Sequence, residues 1–200
     1  MFLAPYVAAM AIIVLASNVG VQFPIGGGWL TWGAFSYPFA FLVTDVTVRL
    51  HGAAAARRVV LAGFGVGLLC SLAGTQIEGA FGPLVTWRIA LASGTAFLAA
   101  QLLDIAIFRT VPARPWWRAP LLSSVLGSTL DTALFFTLAF SAAFVWIEPG
   151  NDVSWAQEAT AVGPYWVALA LADGAVKLGV ALLALIPFRL ITRQRAQQVA

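Results

Sequence analysis

Apolar residues run along this chain in long blocks, and short polar stretches separate the blocks. Six blocks approach or exceed the roughly 20 residues a helix needs to cross a hydrocarbon layer about 30 Å thick. They are residues 2–22, 30–49, 58–77, 87–108, 119–147 and 163–188. The pattern predicts an all-α integral membrane protein with six transmembrane helices, in one domain covering residues 1–200. The fifth block is longer than a span needs, so it tilts or extends beyond the bilayer.

The second block is less regular than the others. Gly26, Gly27 and Gly28 precede it, and Tyr37-Pro38 lies inside it. Proline removes a backbone donor and clashes with the turn before it. An opened backbone at membrane depth is tolerated only where protein or a wet cavity covers it. Two readings stay open: a broken or re-entrant helix bordering a binding site, and an ordinary span with proline in its first turn.

The stretches between blocks set the direction. Arg57 and Arg58 follow the second block, Arg109, Arg114 and Arg118 follow the fourth, and Arg189, Arg193 and Arg195 follow the sixth. The alternate connections carry Glu78 and then Glu148, Asp152 and Glu158, with Arg88 as the nearby base. Basic residues mark the cytoplasmic side. Both termini of a multi-pass protein are therefore expected in the cytoplasm.

Composition agrees with a lipid setting. Of the 200 residues, 61% are hydrophobic and 10% charged, against about 25% charged in soluble domains. The net charge of +3 does not indicate nucleic acid as a partner, because the basic residues sit between apolar blocks. One cysteine, Cys70, and one histidine, His51, make neither a disulfide nor a zinc cluster. The start, Met1 to Pro5, lacks the basic region of a signal peptide, so the first block reads as a retained helix.

The informative residues are the polar ones inside the blocks, where an ionisable group costs about 2.5–3.5 kcal/mol at mid-span on insertion scales. Asp45 and Arg49 are four apart and share a helix face, as do Asp173 and Lys177. On the fourth block Gly94, Phe97, Gln101, Asp104 and Phe108 form one stripe; on the fifth, Ser124, Ser128, Asp131 and Phe135 form another. Asn18 and Gln22 align on the first. Residue counting puts Asp131, Asp173 and Lys177 near mid-depth, and Asp45 and Asp104 in the cytoplasmic half. The plain alternatives are that the i,i+4 pairs only neutralise each other and that Arg49 snorkels to the interface. Asp104 and Asp131 have no local partner on their own helices, so each needs a donor from another helix, a cation or a substrate. Gly63 and Gly67 read as a close-packing seam. His51, beside Gly52, reads as a solvated turn residue.

No phosphate-binding glycine loop and no H-E-x-x-H helix is present. Neither Asp104 nor Asp131 has the glycine-rich surroundings of an intramembrane aspartyl protease. The residues do resemble a transporter family. The stretch Phe39 to Gly52 (FAFLVTDVTVRLHG) with Arg57 and Arg58, Trp87-Arg88, Gln101 with Asp104, Gly127 to Phe140 (GSTLDTALFFTLAF), and Asp173 with Lys177 resemble the bacterial queuosine precursor transporters from about residue 30 to 190. The six-helix plan also resembles the substrate-binding subunits of energy-coupling-factor vitamin importers.

The resemblance implies import of 7-cyano-7-deazaguanine or 7-aminomethyl-7-deazaguanine by secondary or facilitated transport, without catalysis, cofactor or metal. An ATP-driven partner is not required on this reading; the alternative is a binding subunit that needs one. The implied substrate suits the polar residues. A deazaguanine presents N–H donors that match a carboxylate and a flat face that stacks on aromatic rings. Asp131, Asp104, Gln101, Asp45, Asp173, Asn18, Phe97 and Phe135 are the candidate substrate contacts, with Arg88 or Lys177 as donor to the ring carbonyl.

Overall fold

Leu, Ala, Val and Phe dominate the blocks, and without water every backbone N–H and C=O must be satisfied within its own segment. The chain accordingly forms helices. In a computed structural model, which describes residues 3–79 and 82–198 and side chains up to residue 193, they are α1 (Ala4–Gly20), α2 (Trp32–Ser36), α3 (Phe39–Gly74), α4 (Trp87–Thr110), α5 (Arg118–Phe140) and α6 (Tyr165–Gln198). Three antiparallel hairpins of two-residue strands join them: Pro24–Ile25 with Leu30–Thr31, Glu78–Gly79 with Gly82–Pro83, and Ala159–Thr160 with Gly163–Pro164.

Four stretches are long and apolar enough to cross a membrane: Trp32–Gly74, Trp87–Thr110, Arg118–Phe140 and Tyr165–Arg193. The apolar α1 is shorter, at 17 residues. The bundle is inverted relative to a soluble protein. Ile12, Leu61, Leu69, Leu182, Leu183 and Ile186 are exposed on its surface, whereas Asp45, Arg88, Gln101, Asp104, Asp131 and Lys177 are buried. That distribution suits a hydrocarbon surround.

The second and third blocks differ from expectation. No loop separates residues 49 and 58; Arg57 and Arg58 lie within α3. The break is a single residue, Gly52, whose φ of 80° and ψ of 169° are open to glycine and strained for any other residue. The chain reverses there. Gly33 packs on Gly20 at the end of α1, and His51 meets Tyr6 near its start. Beyond Gly52 the order inverts, with Gly63 against Met10 and Gly67 against Val14. One leg of α3 therefore runs antiparallel to α1 and the other parallel to it. His51 is half-buried against the Tyr6 ring, at 4.9 Å between centroids, and not a freely solvated turn residue.

Gly26, Gly27 and Gly28 all have positive φ and turn the first hairpin. At Tyr37-Pro38 the helix is interrupted without reversing. Both residues keep helical angles, but the ladder shifts to three-residue spacing, with Ala40 N–H donating to Tyr37 O and Phe41 N–H to Pro38 O.

The fifth block is also shorter as a helix than residues 119–147. α5 ends at Phe140, and Ala142–Ile147 continues as 3-10 turns. Arg88 explains the stop. Its guanidinium Nε donates to Leu138 O (2.7 Å) and its Nη2 to Ser141 O, capping the terminal carbonyls of α5. Its backbone N–H donates to Glu148 (2.9 Å), tying the following loop to the start of α4. In that loop the Ser154 N–H donates to Asp152 (2.8 Å) and holds its carboxyl below the usual carboxylate range.

Candidate functional site

A cavity of about 370 Å³ opens inside the bundle, within the size range of small-molecule sites. Every helix contributes to its wall: Asn18 from α1, Ala34 from α2, Phe64 from α3, Phe97 from α4, Asp131 and Phe135 from α5, and Asp173 from α6. Tyr37, at the break before α3, also lines it. Aromatic rings close one end. Phe135, Phe136 and Phe140 pack edge to face or tilted at 5.2–6.0 Å, and Trp155 extends the cluster at 5.6 Å from Phe140.

Polar groups converge at one side of this apolar space. Lys177 Nζ donates to Asp131 Oδ2 (2.8 Å), to Thr132 Oγ1 (3.0 Å) and to Asp173 Oδ2. Tyr37 OH donates to Asp131 Oδ1 (2.7 Å), and Thr132 Oγ1 donates to Asp173 Oδ2 (2.9 Å). An ammonium has three donors, and those of Lys177 match the three acceptors around it. Two carboxylates against one ammonium leave this network with an excess negative charge. Each Asp131 oxygen accepts one bond and keeps capacity for a second. The Lys177 ammonium also sits 5.2 Å from the centre of the Tyr37 ring, whose edge contacts run to Phe41 and Phe97. The base that Asp131 lacks within a turn on its own helix thus arrives from α6.

A family profile described as "Putative vitamin uptake transporter" matches residues 31–192. The queuosine precursor transporter of Escherichia coli (strain K12) is 34% identical over 88% of this chain and 79% of its own length. The chain belongs to the queuosine precursor transporter family. A probable queuosine precursor transporter of Haemophilus influenzae (strain Rd) is also 34% identical, over 72% of this chain and 71% of its own length. No solved structure matches significantly.

In this member of the queuosine precursor transporter family the polar residues divide into two layers. Asn18, Phe97, Asp131, Phe135 and Asp173 line the cavity, and Lys177 stands behind its two carboxylates. Asn18 bends back, its Nδ2 donating to Val14 O (2.9 Å). Asp45, Gln101, Asp104 and Arg88 are absent from the wall. Arg88 is at the far end of α5, where its Nε and Nη2 donate to backbone carbonyls and its Nη1 is buried without a partner among the described residues. Asp45, Gln101 and Asp104 form a second layer toward the end of the bundle where Gly52, Thr110 and Arg118 lie. There Ser123 and Ser124 donate to the two oxygens of Asp45 (2.9 and 3.0 Å), and Thr44 Oγ1 donates to Gln101 Oε1. Asp104 is buried beside Asp45, and neither of its oxygens has a partner among the described residues. Gly127 permits this approach of α4 to α5, since a Cβ there would lie 2.8 Å from the Phe41 ring and 3.3 Å from Asp104 Cβ.

Tyr37 is a wall residue that no sequence pattern singled out. A tyrosine in an apolar block gives no periodic signal. The clue was its neighbour: Pro38 frees backbone groups, and residues beside such a break border cavities.

Proposed function

We propose that this protein is an inner-membrane importer of queuosine precursors, 7-cyano-7-deazaguanine or 7-aminomethyl-7-deazaguanine, acting as a secondary or facilitated transporter. The observation that carries the proposal is the combination, in one cavity, of aromatic walls with a negatively charged end at Asp131 and Asp173. The names of the two relatives supply the substrate class. The base stacks on Phe97 or Phe135, and its N–H edge donates to the unused capacity of Asp131 and Asp173. An aminomethyl substituent would meet the excess negative charge.

The same reading takes the bundle as one domain crossing the membrane six times: α1, the two legs on either side of Gly52, α4, α5 and α6. The reversal at Gly52 supports this count. Both termini are then cytoplasmic, because the arginines gather at that side. Reporter tags at 55, 113 and the C-terminus should read cytoplasmic, and a tag at 152 periplasmic.

The test of function is uptake of labelled 7-cyano-7-deazaguanine in a bacterial host lacking both its own importer and any energy-coupling-factor module. Uptake that appears on expression of this chain alone is the expected result. Uptake only when such a module is supplied makes the chain a binding subunit. No uptake in either host removes the proposal.

A further inference from the structure

Beyond the cavity, the buried pair Asp45 and Asp104 has no part in the substrate contacts proposed above. Asp45 is 2% exposed and Asp104 is 0% exposed. Their surroundings differ sharply. Asp45 accepts from the Ser123 and Ser124 hydroxyls, one on each oxygen, which is the environment of a carboxylate. Neither oxygen of Asp104 receives a hydrogen bond from any donor among the described residues. Its close polar neighbours are the Asp45 carboxyl and Ser123, whose hydroxyl is committed to Asp45 and Pro120 O.

An ionised carboxylate without a donor, buried against a second carboxylate, carries a penalty of several kcal/mol. Two like charges in contact cannot both persist, and one group retains its proton. The donor pattern says which one: the serines point at Asp45 and nothing among the described residues donates to Asp104, which assigns the proton to Asp104. A second orphan lies one turn along α3. Arg49 Nε and Nη2 are buried without partners among the described residues, and the guanidinium sits over the rings of Phe108 (5.0 Å) and Phe188 (5.7 Å). Among the described residues α5 presents the serine hydroxyls to the pair, α4 presents the neutral Gln101 and α6 presents Phe188 to Arg49, while His51, two residues beyond Arg49 and against the Tyr6 ring, has its Nε2 buried without a partner. Arg49 is therefore the cation able to replace the proton.

We propose that Asp45 and Asp104 share one proton and form the site through which uptake is coupled to proton movement. Asp104 holds the proton in this conformation. When Asp104 releases it to cytoplasmic water, the pair gains one negative charge, and Arg49 turns from its aromatic seat to compensate. The pair reports to the cavity through α5, where Asp131, Ser128 and Ser124 lie along one face, about 10 Å from end to end at 1.5 Å per residue. The coupling step rests on the importer reading; the shared proton does not.

The test has two arms, using the full-length protein in vesicles of phosphatidylethanolamine and phosphatidylglycerol. In infrared spectroscopy at pH 7, the wild type should show a protonated-carboxyl band that shifts in heavy water. The band should vanish in Asp104→Asn, persist in Asp131→Asn, and change frequency without vanishing in Asp45→Asn. In the transport arm, an acid-outside gradient should drive labelled 7-cyano-7-deazaguanine above its external concentration, and Asp104→Asn should only equilibrate it. Absence of the band, or its survival in Asp104→Asn, overturns the shared proton. Should Asp104→Asn fail to insert, a band unaltered by Asp45→Asn overturns it equally. Accumulation driven by sodium and indifferent to the proton gradient overturns the coupling. If no precursor moves in any vesicle, the importer reading and the coupling fall together, and the infrared arm still decides whether the proton is there.

Discussion

The two polar layers of this bundle hold similar residues in opposite states. Around Lys177, two carboxylates, an ammonium, a phenol and a threonine hydroxyl complete one another's hydrogen bonds. Around Asp104, a buried carboxyl, a glutamine amide nitrogen and two arginine nitrogens have no partners among the described residues. A satisfied network fixes its side chains and presents a defined surface to a ligand. An unsatisfied one is poised to change its charge or its partners. On the function proposed above, the difference separates a layer that recognises from a layer that responds.

Mutations should break the comparison unequally, and the largest effect belongs to Lys177. Lys177→Met leaves two carboxylates buried without their cation, a loss of about 3–5 kcal/mol of stability. Thermal unfolding in detergent should show a large drop, and the triple change Lys177→Met, Asp131→Asn, Asp173→Asn should recover most of it. Asp104→Asn, by contrast, should leave the unfolding temperature unchanged or raised, because a neutral amide replaces a neutral acid. A severe drop in that variant would mean that Asp104 is ionised.

Removing both donors to Asp45, in Ser123→Ala with Ser124→Ala, should cost roughly 1.5–3 kcal/mol for each charge-assisted bond. Unfolding of the double variant against each single one measures this, and a negligible loss would mean that Asp45 carries no charge. A modest loss, of affinity and not of stability, is expected from Tyr37→Phe. It deletes one hydrogen bond to Asp131 and keeps the ring, so binding of 7-cyano-7-deazaguanine should weaken by roughly 0.5–1.5 kcal/mol, about two- to tenfold. Calorimetric titration reads it, and a hundredfold loss would make the phenol a direct substrate contact.

Local patterns were legible in the sequence where one helix contains the whole signal. The fourth block, residues 87–108, became Trp87–Thr110, and the i,i+4 pair Asp173–Lys177 forms as its spacing implies. Contacts between helices were not. Asp131 and Lys177 are 46 residues apart, so nothing in the periodicity of either helix announces their bond. The stop at Phe140 was hidden because Ala142–Ile147 is as apolar as the helix before it, and the capping group, Arg88, comes from α4. The continuation of helix through Arg57 and Arg58 was hidden for the opposite reason. Charged residues suggest a loop, yet a helix end at a membrane surface carries them without strain, and Gly52 alone makes the turn.

The central claim is that the Asp131 side of the cavity reads the N–H edge of the precursor. Calorimetric titration of purified Asp131→Asn with 7-cyano-7-deazaguanine, and with an analogue lacking the exocyclic amine, tests it most directly. The amide substitutes a donor for one acceptor oxygen, and a lost charge-assisted bond is worth roughly 1.5–3 kcal/mol, about ten- to hundredfold in affinity. The account predicts that loss for the full base and a smaller one for the analogue. Unchanged affinity for both ligands, in a variant that still unfolds cooperatively, would contradict it.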